Sequence, residues 1–156
     1  MTKPYLSLAM IVGDEGAKTL GRLLKSVLVR TGGPLVDEII IAWNGKDDIA
    51  FGEAIGQPAI GNNLDKSCAP GESAGNVLLD GGVELTVFKQ TWPGRFDIAR
   101  NESFKHAKGE WVLWLDSDDV VADVGTPEGL KAVQSCERDY GVLVDEDTSN
   151  GASVTL

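Results

Sequence analysis

The sequence predicts an α/β fold in which a mostly parallel sheet is flanked by helices. Two observations predict it. An apolar strand, an amphipathic helix and a second apolar strand follow one another between residues 5 and 43, and a helix with a buried strand recurs over residues 97–115. Strand–helix–strand units join parallel strands, and continuous apolar runs indicate strands that are covered on both faces. The 156 residues suffice for one domain but not for two, so residues 1–156 are treated as a single domain.

The composition limits the kinds of molecule that the protein is expected to bind. Hydrophobic residues make up 42% and charged residues 24% of the chain, as in an ordinary globular protein. The net charge of −10 excludes nucleic acid and an anionic membrane surface as natural partners, although a metal could still bridge the protein to a phosphorylated small molecule. The apolar run Tyr5–Val12 is too short for membrane insertion. Cys68 and Cys136 form no CxxC pattern, which favours a reducing, cytoplasmic setting.

The first half of the chain gives the clearest elements. Residues 5–12 are predicted to form a buried strand, and leucine and valine recur with helical spacing from Leu20 to Leu28. Thr19 is a plausible N-cap for that helix. Residues 37–43 form a second strand, which the Asn44-Gly45 turn closes.

The middle of the chain contains segments that predict a helix or a strand and one long segment that predicts neither. A short helix is predicted around Asp48 to Ile55, whereas residues 56–82 show no sustained periodicity and predict no element. Residues 83–88 alternate as a strand does. A helix then runs from about Asp97, its expected N-cap, to Ala107. Beyond the last strand, the sequence predicts a helix over residues 126–137 and a strand over 140–144 that turns back into 154–156.

An acidic cluster follows the strand predicted over residues 110–115. Asp116, Ser117, Asp118 and Asp119 come where this strand ends, and open α/β sheets bind ligands at the carboxyl ends of their strands. Carboxylates gathered in one place need a cation or another partner. A divalent metal that carries a diphosphate would suit an Asp-x-Asp pair, and the alternative is a solvated acidic turn.

Several stretches, taken in order, resemble a known family. They are SLAMIVGDE (7–15), DEIII (37–41), the spacing W-x-x-x-F-D-I-A-R-N (92–101) and above all ARNESFKHAKGEWVLWLDSDD (99–119). Together they resemble the nucleotide-sugar-binding half of a family 2 glycosyltransferase, whose fold is GT-A (Rossmann-like). SLAMIVGDE and the W-x-x-x-F-D-I-A-R-N spacing are similar to the branch of that family often found with tetratricopeptide repeats.

The resemblance implies roles for individual residues. Asp118 would ligate Mn²⁺ or Mg²⁺ on the diphosphate of a nucleotide sugar, and Asp116 would face the ribose or sugar or assist the metal through water. Positions that would line the base and ribose or lie near the nucleotide are Val12, Gly13, Asp14, Arg100 and Asn101.

The sequence departs from the family in two places. Trp43-Asn44-Gly45-Lys46 stands where an acidic pair and Gly-Ser are expected, so Asn44 would replace the carboxylate that reads the base. The 37 residues that follow Asp119 are few for an acceptor-binding half, so the fold is expected to be truncated after the Asp-x-Asp motif. The acidic cluster at residues 145–147 is more consistent with a solvated turn than with a catalytic base, which is unassigned.

The sequence leaves two functions open. The resemblance implies a metal-dependent, inverting glycosyltransferase that moves a sugar from a nucleoside-diphosphate sugar to an unknown acceptor, protein or glycan. A second copy or a partner chain could complete the acceptor site. The alternative is a non-catalytic module that binds nucleotide sugars or mediates an interaction.

Other candidate residues carry less weight. Trp111 and Trp114 are predicted to lie in the core, while Trp43 and Trp92 could stack on a ligand. His106, the sole histidine of the sequence, is expected on a solvated helix face. An EF-hand is excluded because valines at 120–121 occupy positions that require an oxygen ligand and glycine.

Overall fold

The structure is a computed structural model that describes residues 6–30, 32–66, 71–121, 144–145 and 154–155. The elements in chain order are β1 (Leu6–Val12), α1 (Asp14–Leu28), β2 (Glu38–Trp43), α2 (Asp48–Ala54), α3 (Pro58–Lys66), β3 (Ser73–Leu78), β4 (Glu84–Lys89), α4 (Phe96–His106), β5 (Trp111–Trp114), β6 (Val144–Asp145) and β7 (Val154–Thr155).

Five strands form one sheet in the order β3-β4-β2-β1-β5. The contacts β1–β2, β2–β4 and β1–β5 are parallel, and β3 runs antiparallel to β4, so the predicted mostly parallel α/β sheet is confirmed. Val12 pairs with Trp43 and Trp43 with Lys89, which brings three carboxyl ends level at one edge. Trp114 pairs with Ala9, so the chain that leaves β5 runs beside the last residues of β1.

Helix α1 covers one face of the sheet and α4 the other. Leu20, Leu23, Leu24 and Val27 of α1 are all buried, as their helical spacing predicts. On the opposite face a smaller cluster joins Ala9 of β1 with residues of β2 and β4, and α4 packs on it through Phe104 and Ala107. Both faces of β1 and β2 are therefore covered, which accounts for their uninterrupted apolar sequences.

Two predicted N-caps are wrong. Helix α1 begins at Asp14 with Gly13 as its N-cap, so Thr19 lies inside the helix, where its hydroxyl donates to the carbonyls of Gly16 and Ser117. Helix α4 begins at Phe96 after Arg95. Asp97 lies in its first turn and pairs with the Arg95 guanidinium, so a local ion pair replaces the expected cap.

The stretch 56–82, which predicted no element, contains α3 and β3. Pro58 opens α3, where its missing N–H costs nothing. Strand β3 lies at the edge of the sheet, and its sequence SAGNVL alternates weakly because three of its six residues are exposed. The short α2 matches its prediction.

Near the end of the chain, β6 pairs antiparallel with β7, in accordance with the predicted reversal between 140–144 and 154–156. The predicted helix 126–137, Cys68, Cys136 and the turn at 146–147 lie outside the described residues. Among the described helices, none has the length and apolar character needed to cross a bilayer.

Candidate functional site

The acidic residues after β5 form a closed turn. The Asp116 N–H donates to Asp119 Oδ2 at 2.8 Å, and the Asp119 N–H donates to the Asp116 carbonyl at 3.0 Å. These bonds satisfy backbone groups within the turn, and they engage the Asp119 carboxylate, while the side chains of Asp116 and Asp118 stay exposed. The turn therefore presents the carboxylates of Asp116 and Asp118, which are separated by one residue, at the sheet edge where the parallel strands end.

Helix α1 fixes this turn from the side. Thr19 Oγ1 donates to the Ser117 carbonyl at 2.9 Å, and the Arg22 guanidinium donates to the Asp118 carbonyl at 3.3 Å. A turn later in α1, Ser26 Oγ accepts from the Val121 N–H at 3.0 Å. Because the helix binds backbone atoms of residues 117–121, it holds the turn without consuming the carboxylates of Asp116 and Asp118.

A cavity of ≈ 320 Å³ opens beside the turn, on the side of the sheet that α4 covers. It lies where β1, β2 and β5 end, which is the position that open α/β sheets use for ligands. Its lining combines apolar, aromatic and charged groups: Ala9, Ile11, Gly13, Asn44, Trp92, Phe96, Arg100, Ser103, Trp114, Leu115 and Asp116.

Arg100 and Trp114 form the charged wall of this cavity. The guanidinium carbon of Arg100 lies 3.8 Å from the centroid of the Trp114 ring, a cation–π contact. Among the described residues the guanidinium makes no ion pair or hydrogen bond, so its N–H edge is available to a ligand. An arginine that is stacked in this way keeps its planar donor fork, which matches the geometry of a phosphate.

Trp92 and Phe96 form the aromatic part of the lining. Their rings meet edge to face, with 4.9 Å between centroids, and both remain exposed. Exposed aromatic rings beside a cavity that also contains polar groups are suited to contact a nucleobase or a sugar ring.

The structure separates the predicted site residues into two groups. Gly13, Asn44, Arg100 and Asp116 line the cavity together. The others do not line it: Val12 is fully buried in the core, the Asp14 carboxylate binds the backbone of Lys46 and Asp47, Asn101 is exposed on α4, and Asp118 follows Asp116 on the turn.

Three expectations for aromatic residues are wrong. Trp43 cannot stack on a ligand because it is fully buried, stacked on Phe51 at 4.2 Å, with its Nε1 donating to Asp48. Trp114 does not lie in the core, since half of its surface is exposed. His106 is not freely solvated, because its ring stacks on Phe88 with 3.9 Å between centroids. Trp92 lines the cavity, in keeping with its candidacy.

Sequence reasoning missed Phe96 and Ser103, and it misplaced Trp114. A signal for Trp114 was present, because it alternates with the buried Leu113 and Leu115 and shares the strand face of Asp116. Phe96 stands at a fixed position of the W-x-x-x-F-D-I-A-R-N spacing, which was a signal for it, whereas Ser103 carries no comparable sequence signal. The Ser103 hydroxyl donates to the Arg100 carbonyl within the helix, so its proton is not available to a ligand.

The acidic turn offers two carboxylates as possible ligands for a hard divalent cation. In the described part of the chain, no group of three or more metal-binding side chains is gathered. Mg²⁺ and related ions commonly take one or two carboxylates and complete their shell with water and substrate phosphates. Two exposed carboxylates beside a cavity with an arginine are compatible with that mode of binding, in which the ligand brings the remaining oxygens.

Comparison with known families gives one match that overlaps this site. The family described as Glycosyl transferase family 2 matches residues 76–148, a stretch that contains Trp92, Arg100 and the acidic turn. The resemblance to family 2 glycosyltransferases is confirmed. The mixed α/β sheet with its parallel strands is that of a GT-A-like domain, and the family indicates an enzyme that transfers glycosyl groups from a nucleotide-sugar donor to an acceptor. No curated protein matches the chain.

Proposed function

We propose that this family 2 glycosyltransferase uses a divalent metal, Mn²⁺ or Mg²⁺, to bind a nucleoside-diphosphate sugar in the cavity between β1, α4 and β5. The reaction is a transfer of the sugar with inversion to a protein or glycan acceptor. The observation that carries the proposal is the juxtaposition, in one cavity, of an arginine that has no ion pair among the described residues, an aspartate of the acidic turn and exposed aromatic rings.

Charge supports a diphosphate as the anionic part of the ligand. The protein has a net charge of −10, yet Arg100 has no carboxylate partner in the described part of the chain. A guanidinium without a counter-ion beside Asp116 suits a ligand that is itself anionic and can share a metal with the carboxylate.

Each wall of the cavity would take a different part of the donor. Asn44 and Gly13, at the ends of β2 and β1, would contact the nucleoside, and the Asn44 side chain offers an amide to the base where the family has a carboxylate. Arg100 would bind the diphosphate through its N–H edge while Trp114 keeps it oriented. Trp92 and Phe96 would cover a ring of the donor and exclude water.

The chain's own contribution to the bond-breaking step would be electrostatic. Negative charge grows on the diphosphate as the bond between the sugar carbon and the phosphate oxygen breaks, and Arg100, which lines the cavity, would stabilise it. Asp118 and Asp116 would hold the metal, which when bound supplies further neutralisation of that leaving group.

A thermal-shift panel tests the proposal. UDP-, GDP-, TDP- and CDP-sugars are titrated with Mn²⁺, with Mg²⁺ and with EDTA, and the midpoint of unfolding is recorded. A ligand at about 100 times its Kd stabilises the folded state by about 2.7 kcal/mol, enough for a clear shift. One nucleotide class is expected to raise the midpoint only when the metal is present, and Asp118→Ala should abolish that increase.

Turnover separates the two functional classes. Slow metal-dependent release of nucleoside diphosphate from the preferred donor, lost in Asp118→Ala, supports the transferase. Metal-dependent binding without hydrolysis or transfer to any acceptor would support a non-catalytic nucleotide-sugar module. If no nucleotide sugar shifts the midpoint under any condition, the donor site is not in this cavity.

A further inference from the structure

The carboxylate of Asp14, in the first turn of α1, binds the loop that follows β2. The Lys46 N–H donates to Asp14 Oδ1 at 2.9 Å and lies 3.0 Å from Oδ2, and the Asp47 N–H donates to Oδ1 at 3.0 Å. Two consecutive backbone donors on β2's loop thus converge on one side chain from a different part of the chain. Residues 44–47 form this loop, the β2 loop.

Asp14 is turned away from the cavity. The cavity is lined by its neighbour Gly13 and by Asn44, whereas Asp14 borders a separate hollow on the α1 side, together with Lys18 and Asp47. Hydrogen bonds from Asp47 N–H and then Lys46 N–H lower the pKa of Asp14 below its ordinary value, with smaller contributions from the Lys46 and Lys18 charges. The carboxylate is therefore ionised at neutral pH and bound by the β2 loop.

The sequence of the β2 loop is fitted to this contact. A Cβ built on Gly45 would lie 2.6 Å from Asp14 Oδ1 and would overlap the Trp43 ring. Glycine is thus needed for the loop to approach the carboxylate. On either side of the loop, the Asn44 N–H donates to the Val12 carbonyl at 2.9 Å and Trp43 is anchored to Asp48 at 2.7 Å.

The side chain held by the β2 loop is Asn44, which lines the cavity. Its Oδ1 atom is buried and has no hydrogen-bond partner among the residues that the structure describes. An unpartnered buried acceptor destabilises the fold, so a loose loop would move to relieve it. The bonds from Lys46 and Asp47 to Asp14 oppose that movement.

We infer that Asp14 is a positioning residue, which holds the β2 loop so that Asn44 stays set against the nucleoside end of the cavity. This inference rests on the proposed function for its effect on binding, but not for its effect on the loop. It replaces the role in direct ligand contact that the family resemblance implies for this aspartate. Nucleotide affinity then depends on the acceptor oxygen of residue 14 and not on its charge.

Three variants of the full chain separate these possibilities. Asp14→Ala removes the acceptor. Asp14→Asn removes the charge but keeps Oδ1, the atom that accepts both backbone bonds. Glu15→Ala is the matched control, because it removes a charge from the same helical turn and Glu15 is exposed and pairs with Lys18 alone among the described residues.

The first readout is amide hydrogen exchange of the β2 loop, which needs no ligand. Asp14→Ala should speed exchange at Lys46 and Asp47 about tenfold, since two bonds to a charged acceptor are lost. Asp14→Asn should change it by less than about threefold and Glu15→Ala should not change it. Circular dichroism and the unfolding midpoint check that each variant folds.

The second readout is the Kd of UDP and of GDP in the presence of Mn²⁺. Asp14→Ala should weaken the preferred nucleotide about tenfold and Asp14→Asn should rescue most of that loss. If Asp14→Asn weakens binding as much as Asp14→Ala while loop exchange stays slow, the carboxylate contacts the ligand and the inference is overturned. Unchanged exchange in Asp14→Ala also overturns it. If the wild-type chain binds neither nucleotide, the proposed function fails, yet the exchange data still decide whether Asp14 holds the loop.

Discussion

Gly16 of α1 lies directly against Ser117 of the acidic turn. A Cβ built on Gly16 would come within 3.2 Å of Ser117 Cβ and would overlap its hydroxyl oxygen. The helix and the turn are thus as close as a residue without a side chain permits. The spacing of Asp116 and Asp118 relative to α1 depends on that contact, together with the bond from Thr19 to the Ser117 carbonyl.

A methyl group at residue 16 should displace the turn. Alanine favours a helix over glycine by about 1 kcal/mol, but overpacking against Ser117 costs about 1–3 kcal/mol. Gly16→Ala is therefore expected to lower the unfolding midpoint and to weaken Mn²⁺-dependent nucleotide binding. Gly21→Ala is the matched control, because its added Cβ meets no atom closer than 3.7 Å, and it should raise the midpoint. A stabilised Gly16→Ala protein with unchanged binding would contradict the close contact.

Arg100 should be required for its planar shape as well as its charge. Arg100→Lys keeps the charge but loses both the flat stack on Trp114 and the bidentate donor fork, so we expect donor affinity to fall about tenfold or more. The unfolding midpoint should change little, because among the described residues the guanidinium makes no hydrogen bond or ion pair and only stacks on Trp114. Isothermal titration with the preferred nucleotide sugar measures the effect. Lys105→Ala is the control, since Lys105 pairs with Glu102 on the same helix and is exposed. An Arg100→Lys protein with wild-type affinity would remove the phosphate role.

Glu38 is a buried carboxylate that stabilises the sheet far from the site, at the opposite ends of the strands. Its Oε1 accepts from Ser7 Oγ at 2.7 Å and from the Lys108 N–H at 2.8 Å. Glu38→Ala should lower the free energy of unfolding by about 2–3 kcal/mol, because buried donors left without an acceptor cost about 1–3 kcal/mol. Urea denaturation measures this, with the exposed Glu110→Ala as control. Glu38→Gln, which keeps one acceptor oxygen, should lower the free energy of unfolding by less than Glu38→Ala does. An equal decrease would show that the charge matters and not the acceptor.

The sequence predicted the elements whose patterning is set locally, and it failed where topology decides. The α1 face from Leu20 to Val27 and the apolar strands β1 and β2 follow from periodicity alone. Trp43 and Trp114 are the same type of residue. Trp43 ends β2, which has a strand on each side, whereas Trp114 ends β5 at the edge of the five-stranded sheet. The burial of Trp43 depends on strand order, which no local pattern encodes, whereas the exposure of Trp114 was signalled by its alternation with the buried Leu113 and Leu115.

The candidate site was predictable to a similar degree. Gly13, Asn44, Arg100 and Asp116 follow the end of a strand or belong to a family motif, and they meet at the cavity. Asp14 belongs to the same motif, but its partners are backbone N–H groups of Lys46 and Asp47, and backbone donors leave no trace in a sequence. The role of a carboxylate therefore depends on contacts that appear only after folding.

The ion pair between Glu84 and Lys108 predicts a pH dependence of stability. The Lys108 ammonium, followed by the Asn76 amide, lowers the pKa of Glu84 from its ordinary 4.5, and the Glu84 carboxylate raises the pKa of Lys108 from its ordinary 10.5. A lowered carboxyl pKa stabilises the fold above the ordinary glutamate value, and that contribution is lost as the pH falls through the lowered pKa. A raised ammonium pKa stabilises it below the ordinary lysine value, and that contribution is lost as the pH rises through the raised pKa. The pair thus contributes fully between these two limits.

The size of that contribution should be small. Lys108 is mostly exposed, so solvent screens the pair and we expect about 0.2–1 kcal/mol. Glu84→Gln should lower the free energy of unfolding by that amount at pH 7, and the difference from the wild type should shrink toward zero at both pH extremes and in high salt. Urea denaturation at several pH values measures it, with Glu102→Gln as control for an exposed pair within one helix. A difference that stays constant from acid to alkaline pH would mean that the two charges do not interact, because only ionisation of the partners can make the difference vary in this way.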